Sequence, residues 1–136
     1  MVVAFQPHRY TRTRDLFDDF TAVLSDVDAL LVLEVYPAGE RALPNADGRT
    51  LCRGIRARGA VDPVFVSGPA ALPEALSRVV RDADVVVLLG AGDIGAIASR
   101  LAAVPGQASL PRLESDGEAP VAPGIRMAPG RPGGGR

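Results

Sequence analysis

Apolar positions along this chain fall into four short runs, and the stretches between them carry apolar residues at helical spacing. Residues 2–6 (Val-Val-Ala-Phe-Gln) read as a buried strand stopped by Pro7, which has no N–H to offer a neighbour. Residues 28–36 form a longer run, too uninterrupted for a half-exposed strand, and read as a central strand ended by Pro37-Ala38-Gly39. Residues 63–67 and 84–89 supply the third and fourth strands.

The intervening segments predict helices. Thr13 can cap the first, with Asp15 in its opening turn and Leu16, Phe17, Phe20, Val23 and Leu24 on one face as far as about Ser25. Asp47 starts the second, where Leu51, Cys52 and Ile55 share a side before Gly59 stops it. The third carries Pro73 in its first turn and turns Leu72, Leu76, Val79 and Val80 inward. The last presents Ile94, Ile97, Ala98 and Leu101.

Strands alternating with helices imply parallel crossovers, hence an α/β fold: a Rossmann-like three-layer sandwich with a mainly parallel sheet. Such a sheet brings the loops at residues 7–12, 37–47, 67–71 and 90–93 to its carboxyl edge, where ligands bind in this class. From Val104 the periodicity is gone, and 13 of the last 33 residues are Pro or Gly. We therefore expect one domain over residues 1–103 and a disordered tail over 104–136.

Composition narrows the function. A net charge of -1 and a pI near 5.8 argue against nucleic acid as a partner. All fifteen cationic side chains are arginine. Without lysine the chain cannot by itself build a phosphate-cradling Gly-rich ATPase loop or a Schiff base. A single cysteine excludes an internal disulfide, and no apolar run approaches membrane-spanning length, so we expect a cytoplasmic protein. The first residues lack the pattern of a signal peptide.

Two segments carry candidate chemistry. In His8-Arg9-Tyr10-Thr11-Arg12, two arginines three residues apart stand at a strand's carboxyl end and can converge on one carboxylate or phosphate. The bland alternative is a solvated basic turn. His8, the only histidine, has no second ligand nearby and suits a hydrogen-bonding or positioning role rather than a metal. Gly90-Ala91-Gly92-Asp93-Ile94-Gly95 fits the dinucleotide fingerprint G-x-G-x-x-G. However, no second strand ending in an acid follows it, and Asp93 would lie near a pyrophosphate. A tight turn with close helix packing, or a phosphate-proximal loop of another enzyme, fits better than NAD binding.

The blocks Phe5-Gln6-Pro7-His8-Arg9-Tyr10-Thr11-Arg12-Thr13, Asp28 to Glu40, and Gly90-Ala91-Gly92-Asp93-Ile94 closely resemble, in order and spacing, the C-terminal domain of UDP-N-acetylmuramate:L-alanine ligase. The likeness extends over roughly residues 2–102, and its first block is specific to this member of the Mur ligases. It implies a cytoplasmic enzyme of peptidoglycan precursor synthesis. With ATP and Mg²⁺ such an enzyme converts the lactyl carboxylate of UDP-N-acetylmuramate to an acyl phosphate, which the amine of L-alanine attacks. It also implies that Arg9 and Arg12 hold the L-alanine carboxylate with His8 beside them. The loop Gly90, Ala91, Gly92, Asp93 would face the closed, nucleotide-bearing site. No catalytic residue and no metal ligand is assigned to this chain.

The sequence departs from the family by omission. The uridine-nucleotide domain, the central ATPase domain with its lysine, and an Asp-Asp-Tyr-Gly-His-His-Pro segment before Val2 have no counterpart here. We therefore expect a fold truncated at its N-terminus, inactive alone. Residues 2–6 should lack a flanking strand and one sheet face a helix, with self-association as a consequence. A sibling ligase adding another amino acid or a peptide, and a non-catalytic nucleotide- or anion-binding module, are the alternatives.

Overall fold

The computed structural model describes residues 1–102. The tail assigned to residues 104–136 lies outside the described residues. Four strands, β1 (Val2–Gln6), β2 (Ala29–Leu33), β3 (Val64–Val66) and β4 (Val86–Gly90), form one sheet in the order β3-β2-β1-β4. Every pairing is parallel. Helices α1 (Tyr10–Asp15) and α2 (Phe17–Leu24) join β1 to β2, α3 (Gly48–Arg58) joins β2 to β3, and α4 (Leu72–Val79) leads to β4. Helix α5 (Asp93–Ala102) follows, and a single 3₁₀ turn, Pro69–Ala71, precedes α4.

The unbroken apolar strands are explained by burial on both faces. Val3, Leu30 and Val32 point to one side, where Leu24 of α2 and Leu51, Cys52 and Ile55 of α3 cover them. Their neighbours Val2, Ala4, Leu31 and Leu33 point to the other, against Leu72 and Leu76 of α4 and Ile94 and Ile97 of α5. Successive side chains of a strand alternate between faces, so continuous apolar sequence is what a sheet between two helix layers requires. The architecture is the expected three-layer α/β sandwich. No helix among the described residues is long and apolar enough to cross a membrane.

Helix α3 behaves as the sequence indicates: the Asp47 side chain accepts from the Thr50 amide, and Gly59 ends the helix in the left-handed region at φ 75°. The arginine segment does not. Residues 10–12 are already helical, and Arg9 is the N-cap. Thr13 is therefore no cap but a fully buried residue of α1, its hydroxyl donating to the Arg9 carbonyl at 2.8 Å. The helix then breaks at Leu16 (φ -108°, ψ 22°), which turns the face of α2. Leu16 is left at the surface and Val23 is 70% exposed, although both fit the apolar stripe of a single continuous helix.

Strand β2 ends at Leu33 rather than Tyr36, because the Glu34 carboxylate turns back to accept from the amides of Val35 and Gly48. Tyr36 rejoins the sheet edge only as an isolated parallel bridge to His8. The expected loss of a neighbour beside residues 2–6 is not seen: β1 pairs with β2 on one side and β4 on the other. The edge strands are β3 and β4, and at the β4 edge Leu89 is 43% and the preceding Val85 63% exposed.

Candidate functional site

Strand order decides where a ligand crevice can lie. From β1 the chain steps to β2 and β3 on one side, then returns over the sheet to β4 on the other side of β1. The loops leaving β1 and β4 consequently diverge to opposite faces, and this divergence is the topological switch point at which α/β sheets hold ligands. The two candidate segments of the sequence, 7–12 and 90–93, are those loops. Register places Gln6 opposite Gly90, so residues more than eighty positions apart start their turns side by side.

The turn after β1 is tightly held. Pro7 accepts from the Tyr36 amide and the Arg9 amide donates to the Tyr36 carbonyl, each at 2.8 Å. Arg9 adopts φ 68°, ψ 138°, an unfavourable conformation for a side chain with a Cβ. Strain maintained by two flanking hydrogen bonds fixes the direction in which the chain leaves the sheet, and Arg12 follows one helical turn later. Both arginines are solvent-exposed, and neither is ion-paired to a carboxylate among the described residues.

His8 stacks on Tyr36 with ring centroids 5.7 Å apart and planes inclined by 10°. The Tyr36 ring also lies against Gly92, where an added Cβ would stand 2.8 Å from Cγ. His8, Tyr36 and Gly92 thus form one stack that ties together the loops after β1, β2 and β4. Gly92 has φ 116° and Gly90 φ 147°, and a Cβ at Gly90 would meet the Gln6 carbonyl oxygen at 2.7 Å. These glycines are required both for their backbone and for the closeness of their neighbours.

The start of α5 is tied to β1 as well. The Ile94 amide donates to Oε1 of Gln6 at 3.1 Å, and Gln6 is 3% exposed. In a dinucleotide-binding loop the amides at this point would hold a pyrophosphate. Here one of them is occupied by the chain's own glutamine, an independent argument against the NAD fingerprint. Ala91 and Asp93 are exposed at the mouth of the same loop.

A fourth contact comes from residues 37–40. Ala38 (φ 48°) and Gly39 (φ 84°) reverse the chain, closed by the Glu40 amide donating to the Pro37 carbonyl at 3.0 Å. The turn points Glu40 back at α1. The Thr11 hydroxyl donates to Oε1 at 2.6 Å and the Thr11 amide to Oε2 at 3.0 Å. The hydroxyl bond foremost, then the amide bond, with the positive charge of Arg9 contributing less, holds the Glu40 carboxyl below its ordinary value.

The structure therefore unites His8, Arg9 and Arg12 with Gly90 and Gly92 at one edge. No hydrogen bond or ion pair joins either arginine to the 90–93 loop among the described residues. Sequence reasoning did not single out Gln6, Thr11, Tyr36 or Glu40, whose partners lie 88, 29, 28 and 29 positions away. The Tyr-Pro-Ala-Gly-Glu turn at a strand end was the available signal for the last two.

An open groove of about 660 Å³ lies between the 3₁₀ turn and α5, lined by Pro69, Pro73, Ala96, Ile97, Arg100 and Leu101, and touches the 90–93 loop only through Asp93. It contains no residue of the arginine segment, so its size does not make it the better candidate. The described residues hold no group of three or more His, Cys, Asp or Glu able to bind a metal. No protein-family model matches this chain.

Proposed function

We propose that this chain is the amino-acid-binding portion of an ATP-dependent UDP-N-acetylmuramate:L-alanine ligase, with Arg9 and Arg12 holding the L-alanine carboxylate. The observation that carries the reading is the arginine pair at the β1/β4 switch point, on a turn whose strained backbone is clamped by Tyr36. Two guanidinium groups without a described acidic partner, at the carboxyl edge of a parallel sheet, suit one planar oxyanion. The His8–Tyr36–Gly92 stack keeps the flanking loops at fixed spacing.

The chain does not fit ATP or Mg²⁺ by itself, for it has no lysine and no candidate metal cluster among its described residues. No step through them is derived for it. In this reading they belong to partner domains, where ATP with magnesium supplies the activation of the sugar nucleotide's carboxylate. Residues of this chain bind and orient the amino acid so that its amine faces that carboxylate. Orientation of this kind lowers a bimolecular barrier without any group here transferring a proton.

The test joins the chain to the uridine-nucleotide and ATPase domains of such a ligase and measures L-alanine-dependent ADP release. Arg9→Ala and Arg12→Ala are each expected to raise the KM for L-alanine about ten- to a hundredfold, through loss of a charge-assisted contact, and to leave that for UDP-N-acetylmuramate unchanged. Unchanged L-alanine kinetics in both would overturn the carboxylate clamp. Turnover with a different amino acid or a peptide in place of L-alanine would instead indicate a sibling ligase.

A further inference from the structure

Among the described residues, Glu40 is the one acidic side chain that hydrogen-bonds to the arginine-bearing helix from another loop. It does so in a defined way: a reversal with two successive positive-φ residues, closed by its own backbone bond, presents both carboxylate oxygens to Thr11. Thr11 lies between Arg9 and Arg12 in α1. A six-residue helix has little stability of its own, since short helices depend on outside contacts. The anchor on Thr11 therefore joins the bonds of Tyr36 and Thr13 in holding its first turn, and with it the backbone from which the two arginine side chains project.

We propose that Glu40 is a positioning residue: through its two hydrogen bonds to Thr11 it is a strut that sets the Arg9–Arg12 pair for a carboxylate ligand. The strut rests on the amino-acid-binding reading for its ligand, but not for its existence. Its carboxylate also lies within the influence of Arg9 and Arg14, and so tempers the positive charge around the pair without engaging Arg12. A rigid arginine pair loses less freedom when it binds than a mobile one, so the strut contributes affinity without touching the ligand.

The experiment uses the full 136-residue chain, isotopically labelled, and has two readouts. The first is backbone order without ligand. In the unmodified chain the amides of residues 9–12 and 38–41 should have order parameters near those of the sheet, about 0.85, and Glu40→Ala should lower them toward about 0.6 while leaving β1 and β2 unchanged. Thr11→Val, which removes the hydroxyl bond and keeps the amide bond, should fall between. The second is titration with L-alanine, with acetate as a plain carboxylate and glycinamide as an amine lacking one.

Shifts at Arg9 and Arg12 should saturate with L-alanine about tenfold less tightly in Glu40→Ala, with partial rescue in Glu40→Gln, whose amide oxygen can still accept one bond. A merely structural role would not produce a graded rescue at constant melting temperature. Equal order and equal affinity in Glu40→Ala and the unmodified chain would overturn the strut and leave the arginine reading standing. Loss of order in Glu40→Ala, with no response of either arginine to L-alanine or acetate in any variant, would retain the strut and overturn the ligand assignment.

Discussion

Two glycines three residues apart in the last loop and helix should respond oppositely to the same substitution. At Gly92 the backbone has φ 116°, a region nearly closed to residues with a Cβ, and the new methyl would lie 2.8, 2.9 and 3.1 Å from three atoms of the Tyr36 ring. The backbone penalty is about 1–3 kcal/mol. Displacing a ring held against His8 adds the cost of overpacking, again about 1–3 kcal/mol. Gly92→Ala should therefore destabilise by about 2–6 kcal/mol, against a total stability of about 5–15 kcal/mol for a domain of this kind. Gly95 lies inside α5 with nothing within 4 Å of an added Cβ, so Gly95→Ala should stabilise by about 0.5–1 kcal/mol through helix propensity alone. Urea unfolding followed by far-UV circular dichroism measures both. Each kcal/mol corresponds to about 4–8 °C in a parallel melting experiment. In a Tyr36→Ala background, Gly92→Ala should cost only the backbone's share, about 1–3 kcal/mol, and this double-mutant cycle separates the two causes. A Gly92→Ala protein with an unchanged midpoint, or one shifted in the same direction as Gly95→Ala, would refute the stack as described.

Gln6→Leu should remove the acceptor of the Ile94 amide within a buried site, costing about 1–3 kcal/mol, and should selectively speed exchange of that amide; unaltered protection at Ile94 would contradict the bond. Cys52 is 3% exposed, and burial pushes its thiol up to about 11 from 9.0. At pH 8 the folded chain should thus be alkylated at least a hundredfold more slowly than the urea-unfolded one, because only the thiolate reacts. A raised thiol pKa contributes stability that is intact below about 9 and is lost as pH rises toward about 11, so the melting temperature should decline over that alkaline window. On the β4 edge, Val85→Lys with Leu89→Lys should abolish concentration-dependent association, measured by sedimentation velocity; a parent chain that stays monomeric at all concentrations would show the edge to be harmless.

Much of the candidate site was legible because it depends on short-range pattern. The arginine segment stands out as charge at the end of an apolar run, and Gly90 and Gly92 as punctuation between a strand and a helix. The contacts that assemble these pieces were not legible. Tyr36 could be assigned to the end of β2 but not to a stack with His8 and Gly92, since that requires β1 to lie between β2 and β4. Glu40 read as a loop residue, because its partner belongs to a helix whose cap was placed four residues too late, at Thr13 instead of Arg9. That error has one origin: Arg9 takes a conformation that propensity disfavours, and two hydrogen bonds to Tyr36 hold it there.

By itself the sequence determined the layer architecture. Four unbroken apolar runs separated by amphipathic segments have few ways to bury both faces except as a parallel sheet between helices, and burial of apolar surface dominates at that level. Strand order, the break at Leu16 and the exposure of Val23 and Val85 were decided only by tertiary structure. They depend on which edge α4 returns to and on which backbone groups then find partners, and no local pattern encodes a choice made between segments more than eighty residues apart. The same choice placed the arginine turn beside the Gly90–Gly92 loop, and so brought two separate motifs to one edge of the sheet as a single candidate site.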